Sequence, residues 1–111
     1  MDMREKHREI IKRIITEYAQ FKPAHGDIQI ETIFDEKQNH YELVHVGWKG
    51  NERIHGSVIH VDLVDDKIWI QHDGTEAGIA TDLVEAGIPK DKIVLGFYLP
   101  RRRQLTDFAV A

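Results

Sequence analysis

Cysteine is absent from this chain, so disulfide bridges and thiolate metal ligation are both excluded. Proline is scarce: Pro23, Pro89 and Pro100 are the only three, and each stands where a periodic pattern stops. No apolar run approaches the roughly 20 residues that a helix needs to cross a bilayer. The opening Met1-Asp2-Met3-Arg4-Glu5-Lys6-His7 lacks the apolar core of a signal peptide. A cytoplasmic location without membrane contact is therefore expected. Basic charge is not in excess either. A formal net charge of −4 argues against a nucleic-acid surface spread over most of the protein, although it leaves room for a local basic patch. Internal repeats, linkers and low-complexity stretches are also missing.

What remains is ordinary globular material. With 111 residues, 41% apolar and 31% charged, the chain reads as a single domain over residues 1–111 with a sizeable core. The most informative stretch is 53–88. Apolar and polar residues alternate from Arg53 to Val64 and again from Lys67 to His72, with Asp65-Asp66 between them. This is the pattern of an antiparallel ribbon with a tight turn. Past Gly74 the period becomes helical through Ile79, Ala80, Leu83 and Val84, until Gly87-Ile88-Pro89 stops it.

The flanks extend this frame. An amphipathic helix is expected over residues 3–22, capped by Asp2 and striped with Ile10, Ile11, Ile14, Ile15 and Tyr18. Asp27 to Asp35 and His40 to Trp48 read as two further strands, joined by short polar turns. The expected fold class is α+β: an N-terminal helix, a four-stranded antiparallel meander, a second helix, and an irregular or short-strand C-terminal arm. Both helices are expected on one sheet face.

Register follows from the turns. Pairing Val64 with Lys67 sets Leu63 opposite Ile68, Val61 opposite Ile70 and Ile59 opposite His72. Pairing Trp48 with Arg53 sets Val46 opposite His55 and Val44 opposite Ser57. The buried face would then carry Val44, Val46, Ile59, Val61, Leu63, Ile68 and Ile70. The other face would carry Tyr41, Leu43, His45, Val58, His60, Asp62, Trp69 and Gln71, a mixture unlike the plain polar surface of a solvated sheet.

Three groups of residues invite chemistry. His45, His60 and Asp62 could share a face, and zinc favours imidazole and carboxylate. No helical or Cys-X-X-Cys-like spacing preorganises them, so histidines on a half-polar face are the expectation and no metal or cofactor is expected. His72 and Asp73 could form a base–orienter pair with Thr75 as nucleophile. Adjacent strand residues point apart, however, and helix capping by Thr75 or Asp73, with Glu76 at the positive helix end, is simpler. Arg101-Arg102-Arg103 could touch phosphate or an acidic surface, yet three charges give few counterion-release equivalents.

Taken together, His45-Val46-Gly47-Trp48, Arg53-Ile54-His55-Gly56, Lys67-Ile68-Trp69-Ile70-Gln71-His72-Asp73-Gly74-Thr75-Glu76, Leu83-Val84-Glu85-Ala86-Gly87-Ile88-Pro89, Ile93-Val94-Leu95-Gly96-Phe97 and Thr106-Asp107-Phe108-Ala109-Val110-Ala111 resemble the XisI family nearly end to end. These are the fdxN element excision controlling factor proteins of cyanobacteria. Arg101-Arg102-Arg103 is more basic than that family's usual Pro-Pro-containing approach to the tail. The resemblance implies a small α+β protein that acts with a companion, XisH, to control a site-specific recombinase during excision of a DNA element. It carries over no catalytic residues.

The expected function is therefore non-enzymatic. The chain would bind an XisH-like companion, or another copy of itself, through Tyr41, His45, His60, Asp62, Trp69 and Gln71 together with Arg101, Arg102 and Arg103, touching nucleic acid only indirectly or weakly. The alternatives are an enzyme or nuclease accessory using the His72-Asp73-Gly74-Thr75 loop, or direct weak DNA binding through Arg101 to Arg103.

Overall fold

The computed structural model describes residues 2–111, so Met1 of the expected single domain lies outside the described residues. Three α-helices, one 3₁₀ turn and five strands follow in order: α1 (Met3–Tyr18), β1 (Asp27–Asp35), β2 (His40–Lys49), β3 (Glu52–Val64), β4 (Lys67–Asp73), α2 (Ile79–Glu85), the 3₁₀ turn (Lys90–Lys92), β5 (Ile93–Leu95) and α3 (Pro100–Arg103).

Asp2 caps α1 as expected, its Oδ1 accepting from the Glu5 amide at 2.8 Å. The helix stops at Tyr18, four residues short of the expected end. Beyond Ala19 no residue continues the inward stripe, and Pro23 holds the residue before it out of helical geometry. Helix α2 ends in a Schellman motif: Ile88 N–H donates to Leu83 O and Gly87 N–H to Val84 O, both at 3.0 Å. Gly87 takes the positive φ, 104°, that this closure requires.

The sheet order is β1-β2-β3-β4-β5. The first four strands form the expected antiparallel meander. The fifth corrects the four-stranded expectation, because Ile93–Leu95 pairs parallel to Ile68–Ile70 and makes the sheet mixed. Helix α2 carries the chain back to the end from which β4 started, and that return forces parallel pairing. Ile93, Val94 and Leu95 are all buried, as a strand covered on both faces requires. The arm is also less irregular than expected: Pro100 opens the single turn α3.

Two β-bulges correct the register. Val44 faces Ser57 as expected, but Leu43 faces Ile59, so Val58 is an extra residue on β3. Likewise Val61 faces Ile70 while His60 faces His72, leaving Gln71 extra on β4, and Ile59 meets Asp73 rather than His72. An extra residue inverts the alternation beyond it. Tyr41 and Leu43 therefore share the core face with Ile59, Val61, Leu63, Ile68 and Ile70, and both are fully buried. Val44 and Val46, expected in the core, lie on the other face. Both long helices cover the core face, since Ile11, Ile14 and Ile15 of α1 and Ile79 and Leu83 of α2 join one cluster with these strand residues.

One polar residue is sealed into that core. His7 on α1 is 2% exposed, and neither ring nitrogen has a partner. Burial lowers its pKa below the ordinary 6.5, with Lys92 and Lys6 pushing the same way and Asp66 opposing. Between the lowered value and 6.5 the unfolded chain binds the proton more readily. His7 therefore costs stability as the pH falls below that window's upper edge, and costs nothing further above it. His7→Leu is expected to raise stability by about 1 kcal/mol at neutral pH. In urea titrations at pH 7.5 and 5.5, the gap between variant and wild type should widen at the acid value. A gap that narrows would contradict this account.

Candidate functional site

The chemistry-bearing residues gather on the sheet face turned away from the helices. His40 and Glu42 alternate outward along β2, and His60 and Asp62 along β3. The shifted register sets His40 opposite Asp62 and Glu42 opposite His60. This places two imidazoles and two carboxylates in one cross-strand square. Asp62 Oδ1 faces His40 Nδ1 at 3.0 Å and His60 Nε2 at 3.1 Å. The other ring nitrogen of His40 faces Glu42 Oε2 at 2.9 Å. Gln71, freed by its bulge, donates from Nε2 to Asp62 Oδ2 at 3.2 Å. The two rings lie 4.4 Å apart, centroid to centroid, tilted by 56°. All five side chains are half-buried.

The electrostatics follow from these contacts. The hydrogen bond to Glu42 raises the His40 pKa, with help from Asp62 and against partial burial. For Glu42, burial pushes upward, but hydrogen bonds from His40 and Ser57 and the nearby imidazoles prevail and hold it below the usual carboxylate value. His40 thus sits between two carboxylates at the centre of the square.

The sequence-level candidates divide on this frame. His60, Asp62, Trp69 and Gln71 lie on the outer face as expected. Tyr41 does not: it is fully buried beneath α1 and is no docking residue of the folded chain. His45 is on β2 two residues from Leu43 and pairs with Ile30 and Gly56, so it sits on the opposite face from His60 and Asp62. His40 was missed. Its signal is the doubled pattern His40-x-Glu42 and His60-x-Asp62, two His-x-acid pairs on neighbouring strands, hidden by the bulge at Val58.

The loop candidates serve α2. Asp73 Oδ1 accepts from the Thr75 amide at 3.0 Å and the Thr75 hydroxyl at 2.6 Å, and Oδ2 accepts from the Ile79 amide at 2.8 Å. Thr75 Oγ1 accepts in turn from Gly78 N–H at 3.1 Å. Amides at the start of a helix otherwise lack partners, and this pair satisfies those of Gly78 and Ile79. His72 is exposed on the strand behind, Glu76 is exposed ahead of α2, and the Thr75 hydroxyl donates to Asp73 rather than to His72.

The arginine run is not uniform. Arg103 turns inward, its Nε donating to Leu95 O at 3.2 Å and Tyr98 O at 3.0 Å and its terminal nitrogens to Gly96 O and Val110 O at 3.3 Å. Its guanidinium also lies 5.1 Å from the centre of the Trp69 ring. Arg102 covers Tyr98 at 4.5 Å, and Arg101 is exposed. Beyond α3, Ala109 bridges to Val94 in parallel and donates its amide to Ile93 O at 2.9 Å, closing the edge of β5.

A helix-backed, five-stranded mixed sheet with a histidine–carboxylate square on its outer face defines a small α+β protein. The XisI protein family matches residues 1–110, and the chain belongs to that family. It is similar to a XisI-like protein from Anabaena variabilis ATCC 29413, whose crystal structure superposes with a TM-score of 0.89 at 42% identity, covering 96% of this chain and 97% of that one. It is also similar to the fdxN element excision controlling factor XisI of the same organism, with a TM-score of 0.86 at 32% identity over 99% and 100% of the two chains. No curated protein matches the chain in sequence. Among the described residues, no helix is long and apolar enough to cross a membrane.

Proposed function

We propose that this chain is a non-enzymatic accessory factor that controls excision of a DNA element by binding an XisH-like companion through the outer sheet face and the C-terminal arm. The observation that carries this reading is the arm itself. Arg103 and the Ala109 bridge fix it in place, yet Leu99 is 62% exposed and Leu105 86% exposed. Large apolar side chains exposed on an anchored arm are the makings of an interface core. Non-enzymatic action is supported by the loop, where Asp73 and Thr75 are occupied in capping. Arg103 is likewise committed to the arm, which leaves Arg101 and Arg102 as a thin basis for direct DNA binding.

The double substitution Leu99→Asp with Leu105→Asp touches no core residue, so stability should change by no more than about 0.5 kcal/mol. Capture of a purified XisH-family companion, followed by light scattering, is expected to weaken at least tenfold, the loss of about 1.4 kcal/mol typical of an interface contact that matters. Undiminished capture by the variant would move the interface elsewhere. Failure of the wild type to capture any such companion would end the adaptor reading.

A further inference from the structure

We infer that His40, His60 and Asp62 form a binding site for a divalent transition-metal ion, zinc being the ion best suited to its donors. One ligand atom from each residue lies within 4.8 Å of the other two. Asp62 Oδ1 stands 3.0 Å from a His40 nitrogen and 3.1 Å from a His60 nitrogen. Donors around a tetrahedral zinc, each about 2.0–2.1 Å from the ion, are separated by roughly 3.3 Å. The two histidine–carboxylate spacings are thus already near those of a coordination shell, and a small adjustment of two rotamers admits an ion between them.

The surroundings strengthen the assignment. A ligating histidine characteristically gives its second ring N–H to a carboxylate, and Glu42 Oε2 occupies that position behind His40 at 2.9 Å. Gln71 engages Asp62 Oδ2 and leaves Oδ1 to the ion. Two bulges bring these side chains together, one setting His40 opposite Asp62 and the other freeing Gln71. Two imidazoles, one carboxylate ligand and one supporting carboxylate balance a doubly charged ion, and the half-buried setting leaves a fourth position open to water or to a group from a bound partner. Imidazole and carboxylate donors without thiolate suit zinc, cobalt or nickel better than calcium or magnesium. This proposal departs from the expectation of no metal, and it does not rest on the companion-binding reading.

The test is titration of tag-free, chelator-stripped protein with cobalt(II) and then zinc, by visible absorption and calorimetry. One equivalent of cobalt should produce ligand-field bands that zinc removes, and zinc should raise the melting temperature. His60→Gln and Asp62→Asn should each abolish the bands. Glu42→Gln, which keeps all three ligands, should weaken binding about 10–100-fold. His55→Gln, altering an exposed histidine elsewhere, should change nothing. Absence of bands and of calorimetric heat in the wild type would overturn the site, leaving the square as a proton-shared network. Undiminished binding in folded His60→Gln or Asp62→Asn would overturn it equally, by placing the ion on other histidines.

Discussion

Gly47→Ala is expected to destabilise the protein by about 3 kcal/mol, at the upper end of overpacking costs, and to loosen β1 from the sheet. A Cβ at residue 47 would lie 2.0 Å from the carbonyl oxygen of Asp27 and 2.8 Å from the Cα of Ile28. Both obstacles are backbone, so no rotamer change relieves them. Gly47 pairs directly with Ile28 in a ladder that runs without a slip from Asp27 to Asp35, and parting the strands there breaks hydrogen bonds on either side. Gly26 tightens the same corner: a Cβ there would lie 2.7 Å from Trp48 O, and its φ is 89°. Urea denaturation reads the cost, and amide exchange should show β1 opening ahead of β2. Gly56→Ala is the control, since a Cβ there meets nothing within 4 Å and its φ is ordinary. Equal midpoints for the two variants would show that the β1–β2 contact yields freely.

Arg103→Ala is expected to cost about 2–3 kcal/mol, the range for hydrogen bonds to a charged group, and to release the arm. One guanidinium joins four carbonyls from β5, the following turn and the tail, and rests on Trp69. No other side chain makes that many links between arm and sheet among the described residues. Lysine cannot reproduce a planar fork, so Arg103→Lys should recover little of the loss. Arg101→Ala should stay within about 0.5 kcal/mol of wild type. Thermal melting with limited proteolysis distinguishes them: the Arg103 variants should be cut between Gly96 and Val110 under conditions that leave the wild type whole. Equal effects at Arg101 and Arg103 would refute the structural division of the run.

Much of the fold was legible because its signals are local. The Asp65-Asp66 turn, the capping by Asp2, the stripe of α1 and the Gly87 stop all depend on residues a few positions apart. The two bulges left no such mark. Val58 and Gln71 look like any other strand residues, yet each shifts the pairing by one. The shift at Val58 carried Tyr41 and Leu43 into the core and Val44 and Val46 out of it. It also hid His40, whose partners lie on another strand and fall into line only once that shift is known. The basic run misled for a different reason: composition counts three equal charges, whereas geometry uses one of them as a tie. The parallel fifth strand rests on Ile93-Val94-Leu95 alone, too short for periodicity to separate strand from extended arm.

The crossover to β5 also bears on how the chain is made. Strands β1 to β4 pair with their neighbours in sequence, so each can join the sheet as it is synthesised. The partner of β4's other edge is encoded some twenty residues later, after α2. At about 5–20 residues per second, the ribosome leaves that edge open for roughly 1–4 s. Through that interval Ile68 and Ile70 border a row of unpaired backbone groups, and nascent chains growing side by side on one message have time to meet there. Residues made later still, up to Ala109, then pair with the outermost edge in turn.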